Sequence, residues 1–342
     1  MELSLLPERL LPWFEQHQRD LPWRKNRDPY RVWLSEIMLQ QTRVEAVKGY
    51  YERFLTALPD VFALASVQED SLLKLWEGLG YYNRARNLQK AAKCIAENGG
   101  VFPDTYKGLR ALPGIGDYTA GAVASICFEQ KTAAVDGNVL RVLARLREDE
   151  TPVNDAALKK RVKSELEAVY PAGRCGDFTQ ALMELGATVC VPNGTPNCMG
   201  CPLRDICGAY AAGTTEQYPV KTLKKPRKQE ELTVFLLYCG EKLAIRKRKN
   251  SGLLAGMWEL PHVSGVLSPE QAAARASDWG CAPRNVLRRT EKKHIFTHME
   301  WSMTGYAFSC DSMSGEFLWA DAGELETRYA LPTAFRQFLD GK

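Results

Sequence analysis

The stretch LPGIGDYTAGAV, residues 112–123, has the pattern of one helix ending, a tight turn and a second helix starting. Pro113 cannot continue a helix, while Gly114 and Gly116 permit positive φ and a close backbone approach. The N–H groups at the start of the second helix, together with its dipole, form a site for an anion such as a phosphate. This hairpin can hold a nucleic-acid backbone without reading a base, although similar turns also occur where nothing binds.

A second motif, VDGN at residues 135–138, precedes an amphipathic helix. The simplest role for Asp136 is the N-cap of that helix, and capping does not exclude catalysis. The pair of motifs resembles the helix-hairpin-helix and Gly/Pro-Asp signature of the base-excision DNA glycosylases. This resemblance implies a protein that acts on DNA.

Length and composition predict a globular protein of more than one domain. The chain has 342 residues, of which 45% are apolar and 25% charged, so two domains are expected. No run approaches the roughly 18 apolar residues of a membrane span, and the N-terminus lacks a basic-then-apolar signal pattern. We therefore expect an intracellular protein without a membrane partner. With the resemblance to DNA glycosylases, we expect a cytoplasmic monomer that associates with the nucleoid through DNA.

The charge distribution limits how DNA can be bound. The net charge is +4, and the first 220 residues carry 26 Lys and Arg against 27 Asp and Glu. A surface that binds DNA must therefore be a local patch rather than a field over the whole protein.

Glu36 lies on the apolar face of a predicted helix over residues 30–41. A carboxyl group in that position is costly unless it is paired or protonated, so burial should raise its pKa. The alternative is a glutamate that reaches solvent from the edge of the apolar stripe.

Two other segments carry residues suited to DNA contact. LPWR, residues 21–24, combines an aromatic side chain with Arg24, and GLGYYNRAR, residues 78–86, presents Tyr81 and Arg84 on a glycine-flanked loop. Aromatic rings on such a loop can wedge between bases while arginines hold phosphate. Plain turns and buried tyrosines are the alternatives.

Four of the ten cysteines form a cluster with the spacing Cys190-x7-Cys198-x2-Cys201-x5-Cys207. Four thiolates without paired histidines, in a helical context, favour a [4Fe–4S] cluster. A four-cysteine zinc site is the main alternative. The other six cysteines are scattered, and we expect them to be small buried residues.

The composition changes after residue 220. Residues 221–231 are basic and poor in apolar side chains, which predicts a linker, and strand patterns follow at 232–238, 243–246 and 295–304 with a helix over 271–276. The C-terminal part is therefore expected to be α+β.

Taken together, the motifs closely resemble those of MutY-type adenine DNA glycosylases over nearly the whole chain. The segments that carry the resemblance are WLSEIMLQQT (33–42), LGYY (79–82), residues 112–123 and 135–138, the four cysteines and the α+β tail. The resemblance implies a multi-domain fold. Its parts are an all-α helix-hairpin-helix glycosylase domain over 1–220, a linker over 221–231 and a MutT-like (nudix-like) α+β domain over 232–342. Within the first domain, residues 22–132 would form the helix-hairpin-helix barrel, and residues 1–21 and 133–220 the iron–sulfur module.

The resemblance also implies a reaction and catalytic residues. The enzyme would hydrolyse the N-glycosidic bond of adenine opposite 8-oxoguanine or guanine in duplex DNA, with Glu36 as general acid and Asp136 stabilising the oxocarbenium-like sugar. Asn138 and Tyr118 would position groups around it. Lyase relatives have a lysine at the position of Tyr118, so we expect little strand cleavage.

Further site residues follow from the same comparison. Gln41 and Tyr81 match residues that fill the gap left by the flipped base, and Gly114 and Gly116 match those that grip the backbone. The first cysteine interval has one residue more than the family's x6.

In the tail, Phe296, Thr297 and His298 match a Phe-Ser-His loop that recognises 8-oxoguanine, with threonine in place of serine. The tail lacks the Arg-Glu-x-x-Glu-Glu set that holds magnesium in nucleotide hydrolases, so we interpret it as a binding domain. An endonuclease III-like pyrimidine glycosylase with lyase activity and a non-catalytic DNA-damage binder remain alternatives.

Overall fold

The computed structural model describes residues 3–222 and 226–339. The chain divides into two compact units, one of residues 1–66 and 86–223 and the other of residues 67–85 and 224–342. In chain order, the α-helices are α1 (Leu5–His17), α2 (Pro29–Leu39), α3 (Val44–Ala57), α4 (Val61–Ser66), α5 (Glu69–Leu75), α6 (Asn83–Glu97), α7 (Tyr106–Arg110), α8 (Asp117–Phe128), α9 (Gly137–Arg147), α10 (Ala156–Glu167), α11 (Cys175–Thr188), α12 (Gly208–Ala211), α13 (Pro269–Asp278), α14 (Ala322–Thr327) and α15 (Thr333–Arg336).

The first unit is helical over its described residues. Apolar faces of α1, α9, α10 and α11 form one core cluster, and three of the clustered cysteines pack against its edge. Helix starts follow local rules: Asp28 caps α2 by accepting a hydrogen bond from the Arg31 N–H, and Pro29 opens the helix. None of the described helices is long and apolar enough to cross a membrane.

The second unit is built on a mixed sheet. Its strands are β1 (Lys228–Cys239), β2 (Lys242–Lys247), β3 (Trp258–Glu259), β4 (His262–Ser264), β5 (Pro283–Ile295), β6 (Met299–Cys310) and β7 (Leu318–Ala320). The order is β3-β2-β1-β6-β5, with β4 paired to β1 and β7 to β2. β1 and β6 run parallel, with Leu232 opposite Met303, and the other pairs are antiparallel.

Successive side chains of β1 point to opposite faces of the sheet, and each face is covered by its own apolar core. Leu232, Val234 and Leu236 face one cluster, which includes residues of α14 and α15, while Phe235 and Leu237 face the other, which includes residues of α13. Both faces of the central strand are covered, so it is a nearly continuous apolar run rather than an alternating one.

Two strand predictions differ from the structure, and one segment is grouped differently. The strand predicted over 295–304 is wrong as a single element: β5 ends at Ile295, β6 begins at Met299, and Phe296 donates its N–H to the Met299 carbonyl across the turn, at 2.8 Å. β1 begins at Lys228, inside the segment predicted as a linker. Residues 67–85, which the sequence assigned to the 1–220 domain, group with the C-terminal residues.

Candidate active site

A cleft of about 830 Å³ in the first unit brings together residues that are far apart in sequence. Its lining includes the four predicted catalytic residues Glu36, Tyr118, Asp136 and Asn138, and the predicted DNA contacts Arg24, Gln41, Gly114 and Gly116. The volume lies within the range of ligand pockets, about 300–1,000 Å³. A single extrahelical base and its sugar can therefore be held here.

Glu36 is buried in the wall of this cleft, with 6% of its surface exposed. The Tyr118 hydroxyl donates a hydrogen bond of 2.6 Å to Glu36 Oε2. Burial raises the pKa of Glu36 to about 7, with a further increase from Asp136, while the Tyr118 hydrogen bond and the Arg24 charge oppose the increase. Both the protonated and the ionised carboxyl are therefore populated near neutral pH.

Asp136 caps α9, as the sequence predicted, and faces the cleft at the same time. Its Oδ1 accepts the Val139 N–H at 2.8 Å and its Oδ2 accepts Asn138 Nδ2 at 2.7 Å. Burial raises the pKa of Asp136, while these hydrogen bonds lower it. The carboxylate is thus held in one orientation by its own helix, which suits it to stabilise a nearby positive charge.

Asn138 is fixed in turn by Arg141. The Arg141 guanidinium donates to Asn138 Oδ1 and to the Gly186 carbonyl, both at 2.8 Å, and to the Cys190 carbonyl at 2.7 Å. A continuous chain of hydrogen bonds therefore joins Asp136 to the backbone of the first clustered cysteine.

A further carboxylate in the cleft was not singled out from the sequence. Glu184 is buried and accepts hydrogen bonds from Arg19 Nε at 2.7 Å and from an Arg24 terminal nitrogen at 2.7 Å. These partners lower its pKa, so it stays ionised. The sequence signal for Glu184 was an acidic residue among the apolar residues of α11. Such a residue does not reveal its partners, which come from a distant part of the chain.

The LPWR segment, residues 21–24, is less exposed than expected for its predicted role in DNA contact. Trp23 is 7% exposed, so the aromatic side chain that we expected at the surface is buried. Arg24 points into the cleft toward Glu184 rather than to open solvent. A role for Arg24 in DNA contact stays a prediction.

The hairpin has the predicted helix-turn-helix form, with α7 before it and α8 after it. Gly114 has φ +74°, and a Cβ there would lie 2.5 Å from the Asn87 Cβ. Gly116, by contrast, is extended at φ −84°, so positive φ is not needed at this position. No side-chain hydrogen bond caps α8, and its first residues Asp117 and Tyr118 line the cleft, so backbone N–H groups at this helix start are available to an anion.

The four clustered cysteines line a single small cavity between α9, α11 and the 190–207 loop. Arg145, one turn after Arg141, donates to Cys190 Sγ at 3.2 Å and to the Val191 carbonyl at 3.0 Å. Among residues 3–222 and 226–339, no three His, Cys, Asp or Glu side chains are already gathered as a metal site. The donor set, four soft thiols around one cavity beside the core, nevertheless fits a thiolate-bound metal group.

In the second unit, Tyr81 and Thr297 meet although 216 positions separate them in sequence. Their hydroxyl groups are 2.9 Å apart, and Tyr81 is 49% exposed with φ +49°. Arg84 lies over the Tyr81 and Trp76 rings and donates to the Leu79 and Gly80 carbonyls. Arg84 therefore organises the loop, and its contact with phosphate stays a prediction.

Phe296, Thr297 and His298 form the turn of the β5–β6 hairpin. Phe296 packs edge-on against Trp301 with ring centroids 4.8 Å apart, while Thr297 and His298 are exposed. Arg227 donates to the Phe296 carbonyl at 3.2 Å. The turn is thus anchored by its first residue and presents the other two to solvent.

Each of the two units contains residues that match a known protein family. Residues 34–171 match the HhH-GPD superfamily of base excision DNA repair proteins, and residues 233–341 match the NUDIX domain. Among solved structures, a thermostable thymine-DNA glycosylase is 30% identical with a TM-score of 0.56, over 61% of this chain and 96% of that one. An endonuclease III–DNA complex, 22% identical with a TM-score of 0.53 over 62% of this chain and 98% of that one, shares the fold.

Relatives that match over both units identify the family more narrowly. The adenine DNA glycosylase of Mus musculus is 33% identical over 99% of this chain and 79% of its own length. The adenine DNA glycosylase of Homo sapiens is 35% identical over 92% of this chain and 68% of its own length. With both units matched at this identity, the chain belongs to the adenine DNA glycosylase family within the HhH-GPD superfamily.

Proposed function

We propose that this protein removes adenine mispaired with 8-oxoguanine or guanine in duplex DNA, as a monomer, and so initiates base excision repair. Membership of the family makes it a DNA N-glycosylase. The observation that carries the proposal is Glu36: a buried carboxyl with a pKa of about 7, hydrogen-bonded to Tyr118 in a cleft that also holds Asp136. This arrangement is suited to breaking an N-glycosidic bond without a lysine nucleophile.

Glu36 acts as the general acid. Adenine is a poor leaving group as an anion, so a ring nitrogen, N7, must gain a proton as the bond between N9 and C1′ breaks. The bond electrons go to the purine, which leaves as neutral adenine. Because Tyr118 occupies Oε2, the other carboxyl oxygen is the one available to deliver the proton.

Asp136 stabilises the sugar after the bond breaks. Positive charge develops on C1′ and the ring oxygen, and a fixed carboxylate close to that charge lowers the barrier. Asn138 keeps Asp136 in place, and Arg141 keeps Asn138 in place. Water then adds to C1′, its proton passes to the Glu36 carboxylate, and an abasic site results.

The phenol of Tyr118 cannot form a Schiff base with the sugar. Strand cleavage by β-elimination needs such an intermediate, so we expect a monofunctional glycosylase. This property separates the proposal from the endonuclease III-like alternative.

The reaction requires the adenine to leave the base stack. In our proposal Gln41 and Tyr81 fill the gap, and the hairpin N–H groups beyond Gly114 and Gly116 hold the backbone. Gln41 has φ +59°, a conformation rare for this residue type and often found at functional sites. The turn Phe296–His298 contacts the opposite base.

We further propose that Cys190, Cys198, Cys201 and Cys207 hold a [4Fe–4S] cluster. A bound cluster would cross-link the 190–207 loop through these four thiolates and would add local charge. Arg145 already holds this loop through the Val191 carbonyl. In this proposal Arg204, three residues after Cys201 on the same loop, contacts a DNA phosphate.

The test is single-turnover release of adenine from duplexes with adenine opposite 8-oxoguanine, guanine or thymine, with strand breaks scored before and after alkali. We expect release opposite 8-oxoguanine and guanine, with breaks only after alkali. Release of oxidised pyrimidines with immediate nicking would support the lyase alternative. Binding of the mispair without any release would support a non-catalytic binder.

A further inference from the structure

Lys74 and Glu77, at the end of α5, form an ion pair that no part of the proposed reaction uses. Lys74 Nζ lies 2.5 Å from Glu77 Oε2, and the side chains are only 14% and 13% exposed. The same ammonium donates to the carbonyls of Leu325 and Tyr329 at 2.9 and 3.3 Å. Lys74 thereby satisfies carbonyl groups at the end of α14.

The second carboxylate oxygen of Glu77 is also fully engaged. Oε1 accepts the Leu331 backbone N–H at 2.8 Å and the Arg336 guanidinium at 3.1 Å. Charge-assisted hydrogen bonds of this kind are short and directional, and they are roughly twice as strong as neutral ones. The pair therefore fixes the end of α5 to the 325–336 segment by four contacts.

The next residues lead directly to Tyr81. Gly78, Gly80 and Tyr81 all have positive φ, at +96°, +68° and +49°. Positive φ is strained for a bulky side chain and persists only where the surroundings hold it. Glu77 holds the start of this loop, and the hydroxyl of Thr297 meets Tyr81 at its tip.

We propose that the Lys74–Glu77 pair is a positioning element for recognition of the base opposite adenine. It acts through Tyr81: it fixes where the loop starts, and thereby keeps the Tyr81 hydroxyl within reach of Thr297. This inference rests on the proposed function, because it takes Tyr81 and Thr297 to lie against the opposite base. Neither Lys74 nor Glu77 touches the reacting atoms.

The consequence is a change in selectivity rather than in chemistry. Without the Glu77 carboxylate, Lys74, Arg336 and the Leu331 N–H lose a charged acceptor, and the loop start is held less firmly although the Arg84 hydrogen bonds remain. The cleft residues Glu36 and Asp136 are unaffected. Adenine release opposite 8-oxoguanine should slow. Release opposite guanine should change little, because in this proposal Tyr81 and Thr297 contribute less to recognising guanine.

The experiment compares single-turnover adenine release opposite 8-oxoguanine and opposite guanine for the full chain and for Glu77→Gln, Tyr81→Phe and the double variant. We expect Glu77→Gln to lower the ratio of the two rates roughly tenfold, which corresponds to one hydrogen bond lost at the opposite base when the Tyr81 hydroxyl is displaced. Tyr81→Phe should lower it similarly, and the double variant should be no lower than Tyr81→Phe alone, because both changes act through one hydroxyl.

The matched control is Glu326→Gln. Glu326 pairs with the same arginine, Arg336, at 3.0 Å, but it is 71% exposed and touches neither Lys74 nor Leu331. Its ratio should equal that of the unaltered protein. Lys74→Met provides a second variant should Glu77→Gln fold poorly, and thermal unfolding of each variant separates lost stability from lost selectivity.

An unchanged ratio in Glu77→Gln, or effects of Glu77→Gln and Tyr81→Phe that simply multiply, would overturn the inference. Failure of the proposed function is distinguishable, because the unaltered protein would then release no adenine opposite either base.

Discussion

The Tyr118 hydroxyl donates a 2.6 Å hydrogen bond to Glu36, so the group that lowers the pKa of the proposed acid is itself part of the cleft. Burial works in the opposite direction and dominates, which leaves the pKa of Glu36 at about 7. The balance matters because a general acid is most effective when its pKa lies near the working pH. In the proposed mechanism, two residues on different helices, α2 and α8, thus set the pH range of the reaction.

Tyr118→Phe should move the pH dependence of adenine release. The protonated form of Glu36 is the active one, so the single-turnover rate falls as pH rises through its pKa. Loss of the hydrogen bond raises that pKa further, and the falling limb should shift to higher pH. Tyr106→Phe, which removes a hydrogen bond to Asp117 instead, is the control and should leave the limb in place. If the falling limb of the pH–rate profile is unchanged in Tyr118→Phe, the assignment of Glu36 as the general acid is contradicted.

Glu36→Gln should abolish adenine release and also stabilise the fold above neutral pH. The pKa of Glu36 is about 7 in the folded protein against an ordinary value of 4.5. The folded state therefore binds the proton more tightly, and stability falls as pH rises from about 4.5 to 7. The full cost is about 3 kcal/mol at higher pH.

Glutamine carries no charge and avoids that cost. Urea unfolding at pH 5 and pH 8 should show little difference between the two proteins at the lower pH and a clear gain for Glu36→Gln at the higher pH. Glu45→Gln, which replaces an exposed carboxylate by the same amide, is the matched control. DNA binding by Glu36→Gln should persist, and loss of binding together with release would count against a purely catalytic role.

Iron content tests the cysteine assignment directly. Purified protein should contain four iron and four acid-labile sulfide per chain, and Cys201→Ser should lose most of both. Because Cys201 packs against the helical core of the first unit, metal loss should also lower the thermal stability. Cys94→Ser, outside the cluster, is the control. Zinc in place of iron would favour the four-cysteine zinc alternative.

The sequence predicted those parts of the site that depend on local spacing. The turn at residues 112–123, the cap at Asp136 and the apolar position of Glu36 are each set by neighbours within one helical turn, and the structure has all three. Short runs of apolar residues likewise predicted strands over 232–238 and 243–246, which lie within β1 and β2, because a buried strand can be recognised from its own side chains.

Contacts between distant residues could not be predicted in this way. The partners of Glu184 are 165 and 160 positions away, and Thr297 is 216 positions from Tyr81. The prediction over 295–304 was wrong for a related reason: apolar residues lie on both sides of the turn, and the pairing of β5 with β6 is what reveals the break. Tertiary pairing, rather than local propensity, decides such positions.

Gly114 and Gly116 make a matched pair for testing the hairpin, because they differ in what an added methyl group would meet. At Gly114 the backbone has φ +74° and a Cβ would lie 2.5 Å from that of Asn87, so Gly114→Ala should cost about 1–2 kcal/mol in urea unfolding. At Gly116 the backbone is extended and a Cβ would meet nothing within 4 Å. Gly116→Ala should therefore unfold within about 0.5 kcal/mol of the unaltered protein.

Gly116→Ala should weaken the binding of duplex DNA although it leaves the stability of the fold nearly unchanged. A methyl group there stands beside the uncapped N–H groups of α8, where a phosphate must approach closely, so fluorescence anisotropy should show weaker binding although the fold is intact. The loss should appear equally with undamaged and mispaired duplexes, since a backbone contact carries no sequence information. Gly116→Ala that binds both duplexes as tightly as the unaltered protein would show that DNA does not reach this turn.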